Sequence, residues 1–453
     1  MKPLPNAFKT QIVSFLREDS DAFFESLTLP APVSIRINPK KNIPINKFKS
    51  NIQWCSNGYY LQERPLFTVD PLFHAGAYYV QEASSMFIEQ ILLQLDLTKP
   101  NLTFLDLCAA PGGKSTHLLS LIDETSLLVA NETIKPRAMT LKDNLARWGN
   151  SNYIVSNSDP KSFGSLSSVF DVILIDAPCS GEGMFRKDPD AINEWSENNV
   201  ELSSQRQKRI LEDVLPSLKE EGIIIYCTCT YNEVENESNV QHLIQNHNAT
   251  LLNEQIQITE SWNIVKNNLG FRFFPHKVSG EGFFVSVLKI NKQVPKRTSN
   301  LLNPYFKKLS VSIQKTIQQL IRTPKSFEFY EHDKDIYAVE TKFSHIIEKI
   351  SKHVFVFYPG LYLGQIINNQ IIPSHELALS IEVNISSEVL EINSEVAYQY
   401  FKRNDISQLI DLESIADGWV LLTYQNIPIG WIKKMKFRIN NYYPKEMRIL
   451  RDF

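Results

Sequence analysis

Leu105-Asp-Leu-Cys-Ala-Ala-Pro-Gly-Gly-Lys-Ser115 decides how the rest of this chain is read. It follows the apolar strand pattern Phe104-Leu-Asp-Leu and leads into a helical pattern over Lys114 to Leu121. Its small residues let backbone amides approach a ligand at a helix N-terminus. Lys114-Ser115 invites a phosphate-binding reading, but such a loop needs glycine where Cys108 stands, and the three spaced glycines of a dinucleotide site are also missing. Working outward, strand and helix patterns alternate: Leu127 to Ala130 then Lys135 to Trp148, Tyr153 to Val155, Val172 to Ile175, Gln205 to Leu218, and Ile223 to Tyr226. That alternation predicts an α/β fold, a parallel sheet covered by helices, with ligands beyond the carboxyl ends of the strands.

At those carboxyl ends stand acids. Glu132 follows the second strand, where a carboxylate accepts both hydroxyls of a ribose, and Asp159 follows the third, in reach of an adenine amino group. Each alone is equally a helix cap or a turn residue. Taken with the loop, they describe an adenosine ligand without phosphates. S-adenosylmethionine fits, its sulfonium favoured by nearby carboxylates.

Two cysteines follow the next apolar runs, Cys179 in Asp176-Ala-Pro-Cys-Ser-Gly-Glu-Gly183 and Cys229 in Thr228-Cys-Thr230. A strand-end cysteine is often a small buried hydrophobe, but two at the rim of one sheet suggest covalent chemistry. These motifs, with Arg186-Lys-Asp-Pro-Asp-Ala191, Tyr226-Cys-Thr-Cys-Thr230 and Glu235-Asn-Glu237, resemble the Sun-type (NSUN) RNA cytosine carbon-5 methyltransferases, most closely the bacterial RsmF-like members. Ser34-Ile-Arg-Ile-Asn38, Tyr79-Val-Gln-Glu-Ala-Ser-Ser85, Phe274-Pro-His-Lys277, Gly280-Glu-Gly-Phe-Phe284, Pro373-Ser-His375 and Asn440 to Arg448 extend the resemblance over most of the chain.

The resemblance implies a Rossmann-like class I methyltransferase core at 78–290, a small N-terminal α/β RNA-binding unit at 1–77, a linker at 291–300, and a C-terminal region, 301–453, with a β-rich PUA-like RNA-binding domain. It implies S-adenosylmethionine held by Cys108, Ala109, Ala110, Pro111, Gly112, Gly113, Lys114, Glu132, Asp159 and Asp176. It makes Cys229 the nucleophile on carbon 6 of cytosine, Cys179 the aid to product release, and Asp176 the group on the base edge. Carbon 5 of cytosine is a poor nucleophile until a thiolate adds at carbon 6, so such residues suit such a reaction. The substrate implied is RNA, in the first place ribosomal RNA or a small-subunit particle. Transfer RNA, or RNA binding without turnover in ribosome assembly, are the alternatives.

The sequence departs from the family at Cys227, where relatives carry serine, and at Asn232-Glu233-Val234. Strand alternation would put Cys227 on the face of Cys229, close enough for mistaken attack. A zinc site from Cys108, Cys179, Cys227 and Cys229 lacks any Cys-x-x-Cys pair, so no metal is expected. Arg186, Lys187 and Lys277 are candidates to grip RNA phosphates, whereas His276 and His375 read as structural.

Composition is consistent with all this. The 453 residues are 43% hydrophobic and 21% charged with net charge −3, a globular balance and no uniformly basic coat. Residues 431–453 differ, carrying a local charge of +5 from Lys433, Lys434, Lys436, Arg438, Lys445, Arg448 and Arg451 against Glu446 and Asp452. Phe437, Tyr442 and Tyr443 interleave there, either to stack on RNA or to fill core. No apolar run is long enough for a membrane span, no secretory leader is evident, and five cysteines form no even framework. A cytoplasmic protein with reduced thiols and no obligatory protein partner is expected.

Overall fold

The computed structural model describes residues 3–41, 43, 50–298, 301–302, 306–368, 370–385 and 388–452, so the last two residues of the expected linker and short stretches of both flanking units lie outside it. Its centre is a ten-stranded sheet. Strands Thr103–Asp106, Leu127–Asn131 and Tyr153–Ser156 run parallel on one side; Phe170–Asp176 and Leu218–Thr228 continue parallel on the other. Chain order reverses beside Thr103–Asp106, the switch point at which ligands of open α/β sheets bind.

These strands read as continuous apolar runs because both of their faces are covered. Phe104, Leu128, Val155, Val172 and Ile225 fill one buried cluster, and Leu105, Val129, Ile154, Ile173 and Ile224 fill the other. The Lys135–Trp148 helix starts with proline in its first turn and ends at Gly149, whose φ of 97° only glycine adopts freely. A Cβ at Gly149 would also lie 2.6 Å from the Leu379 carbonyl oxygen.

The N-terminal unit joins the Asn6–Leu16 and Ser20–Ser26 helices to a four-stranded sheet that includes Ser34–Ile37, Gly58–Tyr60 and Tyr78–Val80. Arg36 rivets it to the core. Fully buried, its guanidinium donates to Gln81, Ser120 and Thr116 and lies 4.5 Å from the centre of the Trp148 ring.

Two sheets follow the core, one of five strands between Lys307 and Pro373 and one of four between Glu388 and Asn441. The β-rich runs do not all stay together. Val356–Tyr358, within the C-terminal region expected to hold a β-rich domain, pairs antiparallel with Tyr153–Ser156 and covers the edge of the central sheet. An exposed edge is a template for unwanted pairing, and stacking of Tyr358 on Tyr153 at 5.7 Å seals this one. The four-stranded sheet shares a core with the N-terminal unit through Ile35, Tyr59, Tyr78, Tyr400 and Phe401. Tyr443 of the basic tail belongs to that core, bonding His74 Nδ1 at 2.9 Å, whereas Phe437 at a hairpin tip is 91% exposed. Among the described residues no helix is long and apolar enough to cross a membrane.

Candidate active site

The loop after the first central strand is held open from outside. Ala109 N–H donates to the Asn131 carbonyl at 2.8 Å, Arg137 donates to the Ala110 carbonyl and Asn144 to that of Pro111. Gly112, at φ 112°, turns the chain into the Gly113–Leu121 helix. Cys108 and Lys114 are half-buried at this rim, and burial pushes the Cys108 thiol up.

Under the loop sits Asp106, which is fully buried. Ser115 donates to its Oδ2 at 2.6 Å, while Oδ1 has no partner in the protein. Burial raises its carboxyl to about 7 against the pull of Ser115, with Asp176 and Glu132 adding to the rise. An unpaired buried carboxylate oxygen costs free energy unless a ligand answers it. Three acids facing one small-residue loop suit a ligand with hydroxyl donors and a positive sulfonium, so these residues fit S-adenosylmethionine. Asp106 was quoted in the sequence motif without a role; only its burial and unpaired oxygen single it out. Glu132 is buried, with Oε1 accepting from Ile134 N–H at 2.9 Å and Oε2 3.5 Å from Arg137. Asp159 is exposed, and its carboxylate caps the Pro160–Phe163 helix through Lys161 N–H.

The two cysteines meet. Cys179 Sγ and Cys229 Sγ are 3.2 Å apart, although 50 residues separate them. Backbone bonds set this distance: Ala177 N–H donates to the Cys227 carbonyl and Gly183 N–H to the Cys229 carbonyl, both at 2.9 Å. The contact with Cys229 and burial both push the Cys179 thiol well above its usual range, and either sulfur of the pair can be the donor. On the Asp176 side, Lys114 Nζ pairs with Asp176 Oδ2 at 2.7 Å. Burial opposes the Lys114 charge, but Asp176, through its charge and the hydrogen bond it accepts, outweighs it and holds that proton firmly.

Cys227 and Cys229 both lie near Lys114 and differ in burial: the strand ends at Thr228, and Cys229 beyond it is half-buried at the rim. Cys227 is fully buried, its Sγ lies 3.7 Å from Asp176 Oδ1, and burial, with the charge of Asp176, raises its thiol far above ordinary. It is a poor nucleophile.

Arg186 also differs, because it is not open to an RNA phosphate. Its side chain is 5% exposed and its guanidinium bonds Glu281 and the carbonyls of Gly280 and Ser26. Lys187 is exposed, and Lys277 pairs with Asp19 at 2.7 Å. Burial lowers both His276 and His375, the latter to about 3.

What the sequence did not reveal is how the two cysteine segments are tied together. Glu182, fully buried, accepts from the backbone N–H groups of Tyr231 and Asn232 at 2.9 and 3.0 Å, from Trp195 Nε1 at 2.9 Å and from Asn232 Nδ2 at 3.1 Å. Glu235 crosses the other way, accepting from Ser180 N–H at 3.0 Å and from Gln207 at 2.8 Å. An acid inside a motif of small residues was the available signal, but its partners are about fifty residues away. Among the described residues the three-group clusters able to hold a metal are Cys55, Glu89 and His117, and Glu212, His242 and His247, not the cysteine quartet.

Comparison with known proteins agrees with this picture. Residues 92–289 match the family described as 16S rRNA methyltransferase RsmB/F, residues 4–83 the N-terminal domain of 16S rRNA methyltransferase RsmF, and residues 387–449 the methyltransferase RsmF PUA domain. Ribosomal RNA small subunit methyltransferase F of Aliivibrio fischeri is 30% identical over 98% of this chain and 97% of its own length. That of Shewanella oneidensis is 31% identical over 94% and 93%. A methyltransferase homologue from Pyrococcus horikoshii superposes with a TM-score of 0.53 at 27% identity, over 63% of this chain and 95% of its own. NSun6 from the same organism, solved with SFG, gives 0.53 at 20% identity over 64% and 98%, and shares the fold.

Proposed function

Because this chain belongs to the ribosomal RNA small subunit methyltransferase F family, we propose that it transfers a methyl group from S-adenosylmethionine to carbon 5 of a cytosine in ribosomal RNA, through a covalent bond to Cys229. The observation that carries this reading is the 3.2 Å pairing of Cys179 with Cys229 beside the Lys114–Asp176 ion pair.

S-adenosylmethionine would supply a methyl group on a sulfonium. The loop Cys108 to Lys114 would orient it, Glu132 would take the ribose hydroxyls, Asp159 the adenine amino group, and Asp106 and Asp176 would offset the positive charge. The Cys229 thiolate adds to carbon 6, which makes carbon 5 nucleophilic toward the methyl group. Asp176, fixed by Lys114, holds the base edge as the ring gains charge. The carbon-5 proton then leaves to base, its electron pair restores the ring double bond, and the carbon–sulfur pair returns to Cys229. The S–H of Cys179 stabilises that departing thiolate, which divides attack from release between the two thiols.

A cytosine must be unstacked to reach such a site. A groove of about 800 Å³ lined in part by Val33, Tyr60, Arg64, Gln81 and Lys187 supports a path for the flanking strand between the N-terminal unit and the Cys179 segment. The PUA-matching segment supports a second RNA contact. The test is incubation of the full chain with labelled S-adenosylmethionine and small-subunit particles, naked ribosomal RNA or transfer RNA, followed by nucleoside analysis. 5-Methylcytidine in the ribosomal RNA is expected. Label in another nucleoside, only in transfer RNA, or in none overturns the proposal.

A further inference from the structure

Outside the motifs of the reaction, three ligand-bearing side chains converge where two helices end. Glu212 lies near the end of the Glu197–Val214 helix; His242 and His247 lie on the Glu237–His247 helix. Both histidines aim the same atom at one oxygen: Nε2 of His242 is 2.7 Å and Nε2 of His247 is 2.6 Å from Glu212 Oε1. We propose that Glu212, His242 and His247 form a binding site for a borderline divalent transition ion, of which Zn²⁺ is the representative, outside the methyl-transfer machinery.

The donor set is two imidazoles and a carboxylate, which suits zinc and leaves a fourth position for water. Zinc bonds to nitrogen and oxygen of about 2.0 Å at a tetrahedral angle put ligand atoms about 3.3 Å apart. The present separations are slightly shorter, as expected where protons hold the place of an ion, and small rotamer adjustments open them. Access is available, with side-chain exposures of 25% for His242, 14% for His247 and 37% for Glu212. The cation that reaches this corner, Arg297, is engaged by the Asp213 carboxylate and the Glu212 carbonyl, so it does not occupy the ligand atoms.

Outer support is also in place. Asn246 fixes the ring from behind: its side-chain nitrogen lies 3.0 Å from His242 Nδ1 and donates to the His242 carbonyl at 3.1 Å, which holds the imidazole in orientation. The contrast is the buried cluster of Cys55, Glu89 and His117, which is sealed from solvent and has the charge of Arg36 beside it. An ion at Glu212 would add a second tie between these two helices, which the Asn239 amide already joins by donating to Gln207 Oε1 at 2.7 Å.

The experiment is titration of chelator-treated full-length protein with ZnCl2 by calorimetry, comparing the parent with His242→Ala/His247→Ala, alongside thermal unfolding with and without zinc. Cysteines also take zinc, so the difference between the two proteins is the readout. The parent should bind one more equivalent of zinc than the double variant, and zinc should raise the melting temperature of the parent alone. Methyl transfer by the two should match. Equal stoichiometry, or an equal zinc-induced shift, overturns the site. Should the double variant not fold, His247→Gln, which retains bulk and a polar tip, must still lose the extra equivalent.

Discussion

Replacing Glu182 by glutamine tests whether one buried carboxylate sets the distance between the two reactive thiols. Its Oε2 accepts from two backbone N–H groups, those of Tyr231 and Asn232, and its Oε1 accepts from Trp195 and the Asn232 amide. A glutamine must point its NH2 at one of these pairs, so either orientation sets donors against donors. Two charge-assisted hydrogen bonds are lost, at about 1.5–3 kcal/mol each, while relief of a buried charge returns part of that. The net destabilisation expected is about 2–4 kcal/mol, read as a lower urea midpoint at an unchanged slope. Tyr231 and Asn232 lie two and three residues after Cys229, and displacement of a reacting group by about 1 Å costs on the order of 100-fold in rate. Formation of the RNA adduct should therefore fall by that order in protein that is still folded. A variant less than about 1 kcal/mol weaker, forming adduct at the parent rate, refutes the bracing role.

Two further outcomes concern titration. With its carboxyl at about 7, Asp106 is mostly protonated at pH 6 and mostly ionised at pH 8, so S-adenosylmethionine should bind about tenfold more tightly at the higher pH. Equilibrium binding by Asp106→Asn should lose that dependence; an identical slope in both proteins removes Asp106 from the cofactor site. His375 is buried and held at about 3, so between about pH 6 and pH 4 the unfolded chain takes up a proton that the folded one refuses. Stability should fall with falling pH by about 1.4 kcal/mol per unit from this residue, and urea unfolding of His375→Phe should show a slope shallower by that amount. An unchanged slope would mean that the ring is protonated in the fold.

Local features were legible in the sequence, and distant ones were not. The strand–loop–helix at Leu105 to Leu121 is written in neighbouring residues, because small residues, a turn glycine and an apolar run act over a few positions. At Cys227 alternation speaks of the face but not of the depth: Cys227 is buried within the strand, and Cys229, just past its end, is half-buried. At Arg186 the basic residue beside the motif was visible, but the carboxylate of Glu281 that buries it lies 95 residues on. Val356–Tyr358 has the composition of any half-buried strand, and nothing local says that it pairs with Tyr153–Ser156 rather than with its β-rich neighbours. The Lys114–Asp176 pair was likewise hidden, since each residue belongs to a motif that makes sense alone. The resemblance to a known family supplies roles for the two cysteines, and the 3.2 Å approach of their sulfurs, with the Cys179 thiol pushed up, supports an unequal pair.

Trapping the covalent protein–RNA adduct distinguishes the tasks of the two thiols that lie 3.2 Å apart. Each protein is incubated with S-adenosylmethionine and ribosomal RNA, and adduct is read as a band that survives denaturing electrophoresis. Cys179→Ala should accumulate it, because attack proceeds and release stalls; Cys229→Ala should form none. Adduct formed by Cys229→Ala and lost in Cys179→Ala would contradict the account.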